Sequence, residues 1–201
     1  MDTSIYNLLP DEFIIFDTEF TSWKNSIKNN WKNKNEYKEL VQIAALKVKK
    51  TKKNLKIIDK LNIYIKPEIN PILSDYFKNL TGISQSIIEK KGISFLEGMK
   101  LFYRFCKNNK NEKLTLFSNG NDFDILKYNL NLHKVSKGSK FYKWEKCFKD
   151  IALFFSFMGK SLSKYSSGTL YRAFNIKVKN PKPHDALWDS KSLFLSLKYI
   201  I

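Results

Sequence analysis

The chain has 201 residues, with 36 Lys and Arg against 19 Asp and Glu for a formal charge of +17 at pH 7. That length fits one domain able to bury a core unaided by disulfides or a structural metal, and no apolar run approaches the roughly 20 residues that span a bilayer. The basic surplus calls for a polyanion or an anionic membrane, and charge alone does not choose between them; the lysines are scattered, with neither a polybasic tail nor a strongly amphipathic basic helix, so no membrane partner is expected.

In chain order, Phe13 to Phe16 is an apolar run too short for a helix and flanked by carboxylates, which suits a strand buried on both faces at the centre of a sheet. Leu40 to Val48 and Leu55 to Ile65 are β-rich, with residues 49–53 as a Lys-rich turn, so the first three strands are expected to be antiparallel. Beyond Pro67 the period changes. Phe95, Met99, Phe102 and Cys106 fall on one helical face between Ser94 and Lys107. Leu114 to Phe117 reads as a strand running into an Asn119-Gly120 turn, followed by a helix over 122–132. A strand near 144–149, a helix capped by Asp150, a short helix near 168–174 and a final helix from His184 complete the reading. Strands first and alternating elements afterwards give an α/β sheet of about five strands with helices on both faces. Cys106 and Cys147 lack C-x-x-C spacing and are expected to be reduced core residues. Asp2, Asp11 and Glu12 stand where a basic-then-apolar leader would lie, so a cytoplasmic protein is expected. The Lys and Asn runs from Lys28 to Asn35 and from Lys107 to Lys113 fit a compositional habit of the source genome as well as they fit a binding surface.

Three short patterns carry chemistry. Asp17 and Glu19 stand two apart at the end of the first apolar strand, so strand periodicity points both side chains to one face, where they repel unless a cation lies between them. Asp122 opens the helix after Gly120-Asn121 and shares a stripe with Ile125, Leu126 and Asn129, whereas Asp124 aligns with Lys127, Tyr128 and Asn131 on a more polar side. Helix phase favours Asp122 as the inward carboxylate, with Asp124 as its alternative. Asp189 lies on the buried stripe Ala186, Leu193, Leu197 and needs a partner. His184 follows Pro181 and Pro183 at the helix start or in the loop before it, a poor place for a permanent imidazolium, which suits a His that takes a proton transiently. The other histidine, His133, ends the 122–132 helix and is expected at the surface. Each motif also has a plain structural reading, as a frayed strand end, a helix-dipole carboxylate or a stripe-rim residue.

Together and in this order, D-x-E, a helix-opening Asp and H-x-A-x-x-D resemble the three motifs of the DEDDh exonucleases, the family of proofreading exonuclease subunits, RNase T and the histone-mRNA exoribonucleases. The resemblance runs through Phe13–Phe20, Glu39–Ala45, Leu80–Ile83, Ser118–Asp122 and His184–Asp189, so one such domain over residues 1–201 is expected. It is nearest to bacterial single-domain members with a long Trp-bearing connection between the first two strands. It implies an RNase H-like mixed sheet, two divalent ions (Mg²⁺ or Mn²⁺), and hydrolysis of single-stranded RNA or DNA from the 3′ end to nucleoside 5′-monophosphates. By the same resemblance, Asp17 would bridge both ions, Glu19 would hold one, Asp122 and Asp189 would complete the shells, and His184 would be the general base. Thr18, Phe20, Thr21, Leu80 and Ile83 would touch the terminal nucleotide. Trp23 and Trp31, interleaved with Lys24, Lys28, Lys32 and Lys34, would form a stacking and phosphate-binding flap or merely anchor the loop. A non-catalytic nucleic-acid-binding protein on the same fold is the alternative, disfavoured because no motif carboxylate is missing.

Overall fold

A computed structural model describes residues 3–52, 54–156, 162 and 164–201. Phe13, Ile14, Ile15 and Phe16 are completely buried, each worth roughly 1.5–3 kcal/mol of apolar transfer. The strand they seed, β1 (Glu12–Phe20), is longer than the apolar run and carries Asp17 and Glu19 within it. A helix α1 (Thr3–Leu8) precedes it, and a connection bearing the one-turn α2 (Ser26–Asn29) leads to β2 (Leu40–Thr51) and β3 (Asn54–Tyr64). The expected 49–53 turn is tighter than the sequence suggests, since β2 runs to Thr51; Lys53 lies outside the described residues, as does Asp2. Helices α3 (Asp75–Thr81), α4 (Gln85–Lys91) and α5 (Phe95–Phe105) follow, then β4 (Thr115–Ser118), α6 (Asp122–Leu132), β5 (Phe148–Asp150), α7 (Ala152–Ser156) and α8 (Ala186–Ile200).

The sheet order is β3-β2-β1-β4-β5. The first three strands pair antiparallel, while β4 runs parallel to β1 and β5 parallel to β4. Because side chains alternate along β1, Ile14 and Phe16 join one core cluster with Phe95, Met99 and Phe102 of α5 and with Ile125 and Leu126 of α6. Phe13 and Ile15 join the other, with Leu193 and Leu197 of α8. Asp17 and Glu19 therefore continue the face covered by α8, and Thr18 continues the face covered by α6. Near Glu19 the β1–β2 register shifts by one residue, a local irregularity of the kind that re-aims side chains beside active sites. α5 begins with Ser94 and Glu97 in a reciprocal capping box, and its expected stripe of Phe95, Met99, Phe102 and Cys106 is buried. Both cysteines are free thiols, Cys106 buried and Cys147 half-buried.

Three expectations are corrected. The 144–149 strand is mostly a 3₁₀ segment (Tyr142–Cys147), because Trp144 turns inward against Phe102, Tyr103 and Phe148, leaving only Phe148–Asp150 as strand. The last helix starts at Ala186 and not at His184, since Asp185 accepts the Trp188 N–H as its cap. His133 is not a free surface residue; its ring stacks on buried Phe95 at 4.3 Å and its Nδ1 lies 3.4 Å from Glu68. The short helix near 168–174 is a 3₁₀ segment (Ser167–Phe174), and Asp150 caps α7 by accepting from Ala152. No helix among the described residues is long and apolar enough to cross a membrane.

Candidate active site

At the carboxyl end of β1, one cleft of about 650 Å³ is lined by Asp17, Glu19, Asp122, His184 and Asp189. Asp17 and Glu19 reach it from the strand, and Asp189 reaches it from the first turn of α8, which packs over that face. Asp122 enters from the other side at the start of α6, where Oδ1 accepts from the Thr18 N–H (2.9 Å) and from the Thr18 hydroxyl (2.6 Å). The residue between the two strand carboxylates thus fixes the third. Asp122, Ile125, Leu126 and Asn129 form the buried stripe of α6, whereas Asp124 is exposed on the cleft's rim. His184 stands in the left-handed region, φ 66°, directly before α8, and its backbone N–H donates to Asp189 Oδ1 at 3.2 Å. A ligand atom each from Glu19, His184 and Asp189 lies within 4.8 Å of the others.

The electrostatics are those of a site short of positive charge. Burial, reinforced by Asp122, Asp189 and Glu19, holds the Asp17 carboxyl well above the ordinary carboxylate range, against the opposing hydrogen bond from Ser167. Burial, with Asp189, Asp122 and Asp185, does the same to Glu19. Burial raises Asp122 to about 7 despite the two Thr18 hydrogen bonds, and raises Asp189 to about 7 despite the backbone N–H groups of His184 and Gly168. Burial alone lowers His184 below its ordinary 6.5, which keeps the ring neutral and able to accept a proton. None of the four carboxylates has an ion-pair partner among the described residues. Desolvated, mutually repelling, oxygen-rich and unpaired, this donor set fits hard divalent cations such as Mg²⁺ or Mn²⁺.

The expected substrate residues divide. Thr18 and Phe20 line the cleft, although the Thr18 hydroxyl is spent on Asp122. Thr21 is buried; its hydroxyl donates to the Tyr37 carbonyl and accepts from the Glu39 N–H, so it closes the base of the 21–39 connection. Ile83 packs in a separate cluster with Val41, Leu73, Phe77 and Ile88, and Leu80 does not line the cleft. Of the proposed flap, Trp31 lines the cleft, while Trp23, Lys24, Lys28, Lys32 and Lys34 do not.

Sequence reasoning missed several residues. Ser167 lines the cleft and hydrogen-bonds Asp17, and the adjacent Gly168 packs so closely that a Cβ there would lie 2.2 Å from Asp189 Oδ1. The Gly168 carbonyl accepts from Trp188 Nε1 at 2.9 Å. Gln42, completely buried on β2, accepts the Ala186 N–H at 3.0 Å and so ties the start of α8 to the sheet. Ser and Gly at the start of a short 3₁₀ segment, and Gln in an apolar strand, give no signal until the fold brings them to the carboxylates. Glu39 is different: its buried carboxylate accepts the backbone N–H groups of Glu68, Ile69 and Asn70, a structural task away from the cleft.

A mixed sheet of this order, with four converging carboxylates and a histidine in D-x-E, D and H-x-A-x-x-D motifs, defines a DEDDh-type exonuclease domain. The exonuclease family model of RNase T matches residues 14–194, and the chain belongs to that family. Over 72 residues it is 38% identical to the 3′-5′ exonuclease eri1 of Schizosaccharomyces pombe, a match spanning 35% of this chain and about a quarter of that protein (24%). The nuclease domain of 3′hExo, a DEDDh family member solved with bound rAMP, superposes with a TM-score of 0.72 at 22% identity, covering 93% of this chain and 90% of that one. A 3′-exonuclease solved in 3′-end-specific recognition of the histone mRNA stem-loop gives 0.74 at 19% identity, covering 94% and 63%. At these identities the structural likeness speaks for the fold.

Proposed function

We propose that the chain is a divalent-metal-dependent 3′ to 5′ exonuclease that releases nucleoside 5′-monophosphates from single-stranded RNA or DNA. The observation carrying this reading is the convergence of four buried carboxylates, unpaired among the described residues, beside a neutral histidine. Asp17, Glu19, Asp122 and Asp189 would hold the ions, whose chemistry is to acidify water and to neutralise charge at the scissile phosphate. The protein's own part is positional. Thr18 orients Asp122, Ser167 orients Asp17, and the His184 backbone orients Asp189 while its ring stands ready to accept the proton of the attacking water.

The test is incubation of 5′-labelled RNA and DNA oligomers with Mn²⁺, with Mg²⁺ or with excess EDTA. A ladder shortening from the 3′ end, abolished by EDTA and by Asp17→Ala, is expected. Internal cuts, or cleavage that survives EDTA or Asp17→Ala, would overturn the reading.

A further inference from the structure

The same cleft has a second wall, built from the connection between β1 and β2, and that wall differs in character from the carboxylate floor. Among the described residues that line the cleft, Lys38 is the one lysine or arginine, in a lining that also holds Asp17, Glu19, Asp122, Asp124 and Asp189. It has no carboxylate partner among the described residues: its Nζ lies 3.0 Å from Asn30 Oδ1 and 4.7 Å above the Trp31 ring, both neutral. Its charge is therefore uncompensated. Its backbone is clamped by Asn129 of α6, which is fully buried and donates to the Lys38 carbonyl at 2.8 Å.

Trp31 is held as deliberately. Its φ of 54° places a bulky side chain in the left-handed region, directly after Asn30 at 48°, a conformation that costs of order a kcal/mol and persists only where surroundings over-determine it. Here they do. The indole N–H donates to the Thr21 carbonyl at 2.9 Å, and the ring leans on Phe20 with centroids 5.4 Å apart. Within the connection, the buried Ser26 hydroxyl accepts from the Trp23 N–H and bonds Glu36, so the wall is internally tied and not a loose flap. Lys38 Nζ rests over the Trp31 ring in this structure; a base that displaced the ammonium from the ring would gain a π-surface, and the freed ammonium a phosphate, which together match one nucleotide unit.

Resting on the exonuclease reading, we propose that Trp31 and Lys38 form a second substrate subsite, which takes the nucleotide preceding the terminal one. Trp31 stacks its base, and Lys38 neutralises the phosphate next to the scissile bond. The enzyme then gains affinity from a strand that a mononucleotide cannot supply, and the gain is independent of base identity because every base offers a π-face.

The experiment compares two substrates: a 5′-labelled single-stranded 12-mer, and the p-nitrophenyl ester of thymidine 5′-monophosphate, which has a scissile phosphate but no preceding nucleotide. For Lys38→Gln, the ratio of kcat/KM on the 12-mer to that on the ester should fall about 10-fold at low salt, through KM more than kcat. The slope of log KM against log salt should flatten by about 0.7, one single-strand phosphate contact. Trp31→Ala should lower the same ratio by roughly 10-fold or more, and Trp31→Phe should restore most of it. Equal losses on both substrates, or an unchanged salt slope for Lys38→Gln, would overturn the subsite. Wild-type protein inert on both substrates would overturn the exonuclease reading itself, and the subsite with it.

Discussion

Replacing Gly168 by Ala tests how finely the carboxylates are spaced. An added Cβ would meet Asp189 Oδ1 at 2.2 Å, Asp189 Cγ at 2.8 Å and the Pro183 Cα at 2.9 Å. Ordinary contact requires about 3.5 Å, so the carboxylate must retreat by roughly 1 Å, and the backbone just before His184 by about half that. Asp189 cannot turn away freely, because its Oδ1 accepts from the His184 N–H and the side chain leaves the buried start of α8. A displacement of about 1 Å at a reacting centre costs on the order of 10²-fold in rate, whereas overpacking of this kind costs ~1–3 kcal/mol of stability. Gly168→Ala should therefore fold, bind Mn²⁺ more weakly in titration calorimetry, and lose about 10²-fold in kcat on a 5′-labelled oligomer. Wild-type kcat with unchanged Mn²⁺ affinity would refute the claim that this glycine sets the geometry.

Thr18→Val removes the hydroxyl that holds Asp122 and should cost ~10–100-fold in activity, the usual penalty for losing a group that orients a metal-ligand side chain. Asp122→Asn should cost more, and exposed Asp124→Asn should retain most activity; the reverse ranking in a steady-state assay would assign the middle carboxylate to Asp124. His184→Ala should lower kcat by roughly 10² to 10⁴-fold and flatten the acid limb of the pH profile, and because burial lowers the His184 pKa, that limb should lie below pH 6.5 at saturating metal. In metal-free protein, Asp122 and Asp189 are raised from 3.8 to about 7. Their protonated forms favour the folded state, a contribution complete below about pH 4 and lost as pH rises through 7. Thermal unfolding in EDTA should accordingly show Tm falling between pH 5 and pH 8, and Mn²⁺ at 100 times its Kd should restore about 2.7 kcal/mol, or roughly 5–10 °C, at the higher pH. A metal-free Tm that rises over that interval would contradict the burial of these carboxylates.

Much of the fold was legible because local and tertiary preferences coincide. The Phe13–Phe16 run, the α5 stripe and the 122–132 helix are all places where periodicity alone decides, and the phase of α6 separated Asp122 from Asp124. The misreadings occur where a tertiary contact outweighs the local pattern. Trp144 turned a strand-like stretch into a 3₁₀ turn by docking among aromatics, and Asp185 caps the last helix, which was expected to start at His184. Of the substrate contacts expected by resemblance, Thr18 and Phe20 line the cleft. Thr21 and Ile83 pack outside it, Thr21 bonded within the 21–39 connection and Ile83 in a separate apolar cluster.

That connection also changes how the asparagine content is understood. Nine described non-glycine residues have positive φ, and six are Asn: Asn25, Asn30, Asn35, Asn111, Asn175 and Asn180. Asn tolerates the left-handed region better than other side chains with a Cβ, so what looked like compositional habit places turns where the chain must reverse sharply. The exceptions are Trp31, Lys134 and His184, and two of those three line the cleft. A bulky ring held in that conformation beside the cleft points to a task for the side chain that Asn would not serve. Replacing His184 by Asn should therefore separate the two demands: backbone strain is relieved, so Tm should hold or rise, while oligomer cleavage should fall. If cleavage falls only in step with stability, the His184 ring is not acting at the cleft.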